Sequence, residues 1–329
     1  METASFAIIW IGLALYALLA GADFGVGVWV ILSYFTDRGE ELRKDAFGYF
    51  GPVWEINTLF LVFAIVGLMT AFPKAIDVLG HALIPLVLVA LVLFVVRAGA
   101  YALLHYGPER TRGPATIVFA VSSVLAGMGL GYAAAAPASG YITGESLPGD
   151  FYTSALALAA LPLTLLASAH LSAVVIAAYG SARETPATEW YRRAGLFAAI
   201  AVLPFVGLFT LAMLSDVDYT SDRLQSARAI PMAVGAIVVG LGTLALLKRR
   251  YALAALLTFA GYLSGLLGGA FAQLPYLVYP SLTLEEAASP DATLTAYLIS
   301  TAIAGPVLLI AMGVLYHLTV GPRARRGVI

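Results

Sequence analysis

Nine long apolar stretches dominate this chain and limit what it can fold into. Each holds about 20 or more mostly apolar residues, the length that a helix needs to cross the hydrocarbon core of a membrane. They run over residues 4–35, 51–73, 79–104, 114–136, 152–179, 193–214, 227–247, 251–276 and 295–319. Since stretches of this length satisfy their backbone in lipid as helices, the sequence predicts an all-α integral membrane protein with nine transmembrane helices.

Composition supports a membrane location for the whole chain. Charged residues make up 11% of the 329 residues and the mean hydropathy is +0.91, whereas a soluble domain carries about 25% charged residues. The absence of cysteine excludes disulfides and thiolate metal sites. A net charge of −1 argues against binding nucleic acid. No hydrophilic domain interrupts the apolar segments, so we expect a single membrane domain over residues 1–329.

The basic residues predict the orientation of the chain in the membrane. The first, third, fifth and seventh loops and the C-terminus hold 14 of the 18 lysines and arginines, and the N-terminus and the even-numbered loops hold 3. Loops rich in Lys and Arg stay in the cytoplasm. We therefore expect the N-terminus outside, the C-terminus in the cytoplasm, and an odd number of helices.

Three ionisable side chains fall inside the predicted helices: Asp23, Glu55 and Arg97. From their distance to the ends of their segments they lie about 18, 6 and 10 Å from the cytoplasmic side, at 1.5 Å per residue. A charge at the centre of a bilayer costs about 2.5–3.5 kcal/mol on insertion scales, so it needs a partner or water. If their helices are neighbours, the three charges form one polar cluster.

Two interpretations of this cluster stay open. In the first, Arg97 compensates Asp23 or Glu55 and holds the helices together. In the second, the two carboxylates bind and release protons that enter from the cytoplasm.

The stretch "GPVWEINTLF", residues 51–60, surrounds the second acid. Pro52 suits the first turn of a helix, where its missing N–H costs nothing. The helix dipole then favours the ionised form of Glu55. Trp54 is typical of an interfacial anchor, and Asn57 offers an amide to a buried network.

One histidine, His170, lies well inside a predicted helix. Haem iron takes axial His, Met, Cys or Tyr ligands, but no two histidines here are spaced to share a helix face. An interhelical hydrogen bond is the favoured interpretation for His170, with haem ligation as the alternative.

Small residues four apart predict close helix contacts, because lipid gives helices no hydrophobic reason to associate. The pairs are Gly21 and Gly25, Gly127 and Gly131, and Gly265 and Gly269.

Five motifs in sequence order resemble subunit II of the cytochrome bd-type quinol oxidases. They are "GADFGVG" (21–27), "GPVWEINTLFLV" (51–62), "LFVVRAGAYALLHYG" (93–107), "HLSAVVIAAYG" (170–180) and "YPSLTLEEAASPDATLTAYLI" (279–299). The chain departs from the usual family pattern at Ile56, at 58–60 and at Ala98, so it resembles a divergent member.

The resemblance implies two four-helix bundles and a peripheral ninth helix, over 1–136, 152–276 and 295–319. It implies a haem-free subunit in a bacterial or archaeal cytoplasmic membrane, beside a haem-bearing subunit I at which quinol is oxidised and oxygen is reduced to water. It leaves room for a structural quinone or lipid and for small accessory subunits. A cytoplasmic proton path would fall on Asp23, Glu55 and Asn57, with Trp54, Arg97 and His170 in support.

A secondary transporter is the rival from another class, because prolines interrupt several of the predicted helices, as in transporters with broken helices. Haem bands and a co-purifying membrane subunit would favour the oxidase. A colourless single-chain protein would favour the transporter.

Overall fold

The structure is a computed structural model that describes residues 1–144, 146–216 and 230–319. Within its helices the side chains at 50–56, 216, 309, 311–312 and 314–319 lie outside the description. The side chains of Trp54 and Glu55, two of the predicted site residues, are therefore not described.

The described part is almost entirely helical, as expected for a chain that has to satisfy its backbone in lipid. Its eleven helices are α1 Glu2–Ser33, α2 Gly39–Ala71, α3 Pro73–Tyr106, α4 Glu109–Ala135, α5 Ala155–Ser181, α6 Thr188–Ala201, α7 Leu203–Asp216, α8 Ile230–Leu247, α9 Tyr251–Gln273, α10 Leu284–Ala287 and α11 Asp291–Thr319.

Eight helical spans in the described residues are long and apolar enough to cross a membrane, with α6 and α7 together forming one of them. Within α2, Asn57–Ala71 forms a shorter apolar stretch. The all-α membrane architecture is thus confirmed, while the count of nine crossings and the division into two bundles stay predictions.

Two predicted boundaries are wrong. Helix α2 begins at Gly39 rather than near residue 51, so Pro52 and Glu55 lie inside the helix and the dipole argument for Glu55 does not hold. The predicted segment 193–214 is divided, since α6 ends at Ala201 and α7 begins at Leu203. Pro204 follows this break directly, and a proline N–H is missing from any continuous hydrogen-bond ladder.

Helices α1 and α5 lie at the centre of the molecule. Helix α1 packs against α2, α4, α5 and α9, and α5 packs against α4, α6, α7 and α9 as well. The buried apolar residues form one cluster around Phe72 and Phe151 and another around Phe119 and Tyr191. We call the end of the molecule that holds the cluster around Phe72 and Phe151 the strand end. The opposite end, which holds the connection between α8 and α9, is called the turn end.

The strand end contains the two β-strands of the described residues. Strands β1, Tyr276–Val278, and β2, Leu282–Thr283, pair antiparallel. Helix α10 follows with a capping box in which Thr283 and Glu286 each satisfy a backbone N–H of the other. This short hairpin is absent from the sequence prediction, because strands of two or three residues leave no periodic signal.

The turn end contains the tight connection between α8 and α9. Arg249 adopts a left-handed conformation with φ of 58°. The N–H of Arg250 donates to the carbonyl of Ala245 at 2.9 Å, and that of Arg249 to Leu246 at 3.0 Å. This is a Schellman closure, whose left-handed position is usually glycine.

Helices α8 and α9 approach closely through several glycines, one of which belongs to the predicted pair. A Cβ on Gly261 would lie 2.7 Å from the carbonyl oxygen of Gly235, and one on Gly268 would lie 2.6 Å from Met232 Cγ. A Cβ on Gly265 or Gly269 would meet no atom of the described structure within 4 Å. A Cβ on Gly235 would nevertheless lie 2.8 Å from the backbone nitrogen of Gly265. The predicted close approach is therefore confirmed at Gly265, and no contact in the Cβ direction of Gly269 accompanies it.

Candidate functional site

The site is built around a buried ion pair between two helices. Asp23 on α1 and Arg97 on α3 form a salt bridge through Oδ1 and Nη2, with side chains 1% and 3% exposed. Arg97 Nε also donates to the Ser123 hydroxyl on α4, at 2.7 Å. Three helices thus converge on two opposite charges far from solvent.

The guanidinium of Arg97 has aromatic neighbours as well. Its central carbon lies 5.0 Å from the ring centroid of Phe24 and 5.0 Å from that of Phe119. A cation over an aromatic face gains electrostatic energy, more so when it is desolvated. Arg97 is therefore stabilised by an anion, a hydroxyl and two rings.

Some buried polar atoms of the predicted residues and their neighbours have no hydrogen-bond partner among the described residues. They include Asp23 Oδ2 and the Tyr16 hydroxyl on α1, and Asn57 Oδ1 on α2. Tyr16 precedes Asp23 by two helical turns and lies on the same face of α1. An unpaired polar atom in a low-dielectric interior is costly, so these atoms are positions that water would occupy favourably.

A small cavity lies between α1, α4 and α5, lined by the two residues that follow Asp23 on α1. Its volume is about 10 Å³, and Phe24, Gly25, Gly127 and Ser168 are among its lining residues. That space is close to the minimum that holds one water molecule.

His170 lies on the central helix α5 and is fully buried. Its Nδ1 lies 3.0 Å from the hydroxyl of Tyr262 on α9, and the two rings meet edge to face. Nε2 has no partner in the described part of the chain. His170 therefore takes part in an interhelical hydrogen bond. It is not among the residues described in contact with Arg97.

The comparison with known families decides the assignment. The model of the family described as cytochrome bd terminal oxidase subunit II matches residues 1–319. The chain belongs to the cytochrome bd terminal oxidase subunit II family.

Two relatives show how far this likeness extends. The putative cytochrome bd menaquinol oxidase subunit II of Bacillus subtilis (strain 168) is 25% identical over 323 residues, which cover 92% of this chain and 90% of that protein. A chain in the structure of bd oxidase from Geobacillus thermodenitrificans superposes with a TM-score of 0.83 at 21% identity, covering 98% of this chain and 99% of that one. At that identity the structural likeness shows the fold alone.

The resemblance predicted from the sequence motifs is thus confirmed. The protein is a multi-pass membrane subunit of a cytochrome bd-type quinol oxidase complex, an oxidoreductase.

This subunit II offers no fit for a haem at His170. The imidazole is wholly buried, and one ring nitrogen is engaged with the Tyr262 hydroxyl. Among the described residues no group of three or more His, Cys, Asp or Glu side chains is arranged to hold a metal ion.

Glycines on α1 bring α5 close to the ion pair. A Cβ on Gly25 would collide with the carbonyl oxygen of Ser168 and the hydroxyl of Ser172. A Cβ on Gly21 would lie 3.6 Å from Ser168 Oγ and 3.7 Å from Leu171 Cδ2, which are ordinary contacts. Gly25 therefore sets the approach of α5, and Gly21 does not.

Sequence reasoning missed several members of the site. Ser123, Phe119 and Tyr262 contact the predicted residues, and Trp29 donates to the Ala169 carbonyl at 3.1 Å and to the Ser172 hydroxyl at 2.9 Å. The adjacent serines at 122 and 123 inside an apolar segment were a usable signal, because a hydroxyl at membrane depth needs a partner.

Proposed function

We propose that this subunit binds no haem and works as the companion of a haem-bearing subunit I. The engaged and tightly packed state of His170 supports this, as does the membership of a family named as subunit II of the oxidase. Quinol oxidation and oxygen reduction would then take place in the partner, which this chain supports as a scaffold.

The proposed location is the cytoplasmic membrane, with the N-terminus outside and the turn end in the cytoplasm. The concentration of Lys and Arg in the odd-numbered loops and the C-terminus supports this orientation. The acid-containing loop with β1 and β2 then lies outside.

Reduction of oxygen to water consumes protons, and we propose that this subunit supplies part of their route from the cytoplasm. Asp23, Glu55 and Asn57 form the path in this proposal. Trp54, Arg97 and His170 position or stabilise it.

The observation that carries this proposal is the wholly buried carboxylate of Asp23, which keeps one acceptor oxygen without a partner among the described residues. That free oxygen can accept a hydrogen bond from a water molecule, which would serve as its proton donor. When Asp23 takes up a proton, the Arg97 cation keeps the Ser123 hydroxyl and two aromatic faces as partners. These neutral partners offset part of the cost of the Arg97 charge while Asp23 is protonated.

The test is the assembled oxidase with Asp23→Asn or Glu55→Gln. Because an amide cannot release a proton to water at neutral pH, we expect quinol-dependent oxygen consumption to fall by at least about a hundredfold, the lower end of the usual contribution of a proton-transfer group. Haem content, read from the reduced-minus-oxidised spectrum, is expected to stay normal. The matched control is Asp37→Asn, which removes an exposed carboxylate in the loop before α2.

The ion pair also favours a second candidate, a purely structural role. Removing one partner of a buried pair costs about 3–5 kcal/mol, because the other charge is left uncompensated. Under that role Asp23→Asn loses haem or fails to assemble. Normal turnover with normal haem content in both variants contradicts the proton path.

A further inference from the structure

A second charged cluster, distinct from the buried pair, lies at the turn end of the molecule. Glu189, in the first turn of α6, accepts hydrogen bonds from Arg192 Nε at 2.9 Å and Nη2 at 2.6 Å. Arg193 Nε donates to the same carboxylate at 3.3 Å. Arg249 Nη2, from the α8–α9 turn, lies 3.6 Å from its other oxygen. One carboxylate thus holds three guanidinium groups.

The cluster keeps a strong positive charge and free donors. Three guanidiniums and one carboxylate sum to +2, and Lys248 and Arg250 in the same turn add two more positive charges. A guanidinium carries five N–H donors. Arg193 gives Glu189 only its Nε–H, so both terminal nitrogens stay available, and its side chain is 75% exposed.

The backbone of the turn adds an independent indication. Arg249 occupies the left-handed position at which glycine is normally found. A side chain with a Cβ is strained there by its contact with the following carbonyl oxygen. Its guanidinium, 68% exposed, reaches Glu189 on a different helix. The orientation of the chain in the membrane depends on the number of basic residues in this loop. It does not depend on the left-handed conformation of Arg249 or on a carboxylate that binds the guanidinium groups, so these two features call for another explanation.

Below the charges the same helices present exposed apolar side chains. Phe197 and Ile200 on α6 are 72% and 69% exposed, and Leu247 at the end of α8 is 56% exposed. Phe197 lies one turn after Arg193, which places it about 6 Å deeper at 1.5 Å per residue. Helices α6 and α8 are in contact. A molecule with an anionic head group and apolar chains could therefore bind the arginines with its head group and the exposed apolar side chains with its chains.

We propose that this cluster is a binding site for the phosphate of an anionic phospholipid. Arg193 and Arg249 hold the phosphate oxygens, as guanidinium forks do, and Glu189 positions both side chains. The exposed faces of α6 and α8 receive the acyl chains. A free phosphate would use the same donors but would leave the apolar part of the site empty.

The experiment uses the assembled oxidase, delipidated in detergent and titrated with phosphatidylglycerol while bound lipid is counted by native mass spectrometry. Each base near an anionic surface contributes a factor of roughly five, so Arg193→Gln with Arg249→Gln weakens binding by about thirtyfold. Phosphatidylcholine and inorganic phosphate serve as the comparison probes. The matched control removes two exposed arginines at the start of α4, Arg110→Gln with Arg112→Gln.

The proposal expects strong phosphatidylglycerol binding in the wild type and in the control, and loss in the cluster variant. Arg249→Gly adds a second readout. It relieves the left-handed position, so it raises the thermal midpoint in lipid-free detergent while it loses the stabilisation that added phosphatidylglycerol gives the wild type. Equal loss in the control, equal binding of phosphatidylcholine, or displacement of the lipid by inorganic phosphate at equal concentration would each overturn the proposal.

Discussion

The buried charges of Asp23 and Arg97 differ in how many partners the protein gives them. The arginine has an anion, a hydroxyl and two aromatic faces. The aspartate accepts from Arg97 through one oxygen, and its other oxygen has no partner among the described residues. A buried group with spare hydrogen-bond capacity is suited to a change of protonation, whereas its partner, which a hydroxyl and two rings also stabilise, is suited to hold a constant charge.

The hydroxyl of Ser123 allows the support of Arg97 to be tested. Ser123→Ala removes a hydrogen bond to a charged donor, so we expect it to lower the free energy of unfolding by about 1.5–3 kcal/mol. Ser122→Ala is the matched control, because that buried hydroxyl donates to the Val118 and Phe119 carbonyls of its own helix. The thermal unfolding midpoint of the oxidase in detergent measures both. Equal effects of the two substitutions would show that the Arg97 contact adds nothing.

At the scale of the helices, the position of α5 against α1 depends on one glycine. Gly25→Ala would press a methyl group into the Ser168 backbone, and overpacking of this kind costs about 1–3 kcal/mol. Gly21→Ala makes ordinary contacts and gains up to about 1 kcal/mol from helix propensity. We expect the first variant to unfold at lower temperature than the wild type and the second at an equal or higher one. The reverse order would contradict this packing.

Sequence analysis predicted the spans well because lipid imposes a length and an apolar composition that are visible in one dimension. It missed the start of α2, since residues 39–49 are polar and hydropathy detects only the part inside the membrane. A helical signal was nevertheless present. Leu42 and Ala46, four residues apart, are fully buried, and the Tyr191 hydroxyl donates to the Leu42 carbonyl at 2.8 Å.

Part of the site was predictable because membrane segments have a recognisable apolar composition. An ionisable residue inside an apolar segment is unusual enough to identify Asp23 and Arg97 from sequence. Their pairing through Oδ1 and Nη2, and the contact with Ser123, depend on the rotation of α3 and α4 about their axes. Helices that are apolar on all sides leave no amphipathic pattern from which that rotation can be read.

At the scale of the whole molecule, the fold places buried polar groups in the centre and a charged cluster at the turn end. Helices α1 and α5, which hold Asp23 and His170, pack against each other and are surrounded by the other helices. The peripheral helices expose apolar side chains, as α3 does at Val87, Val92 and Val95. This arrangement suits a subunit that carries a proton path inside and contacts lipid or partner chains outside.

The central claim is that Asp23 conducts protons, and proton uptake during a single oxygen reaction tests it most directly. The oxidase is reconstituted in vesicles, reduced, and mixed with oxygen in the presence of a pH indicator on the side of the turn end. In Asp23→Asn we predict proton uptake at least about a hundredfold slower than in the wild type, with an unchanged haem spectrum. Uptake at the wild-type rate in a variant with full haem content would contradict the account.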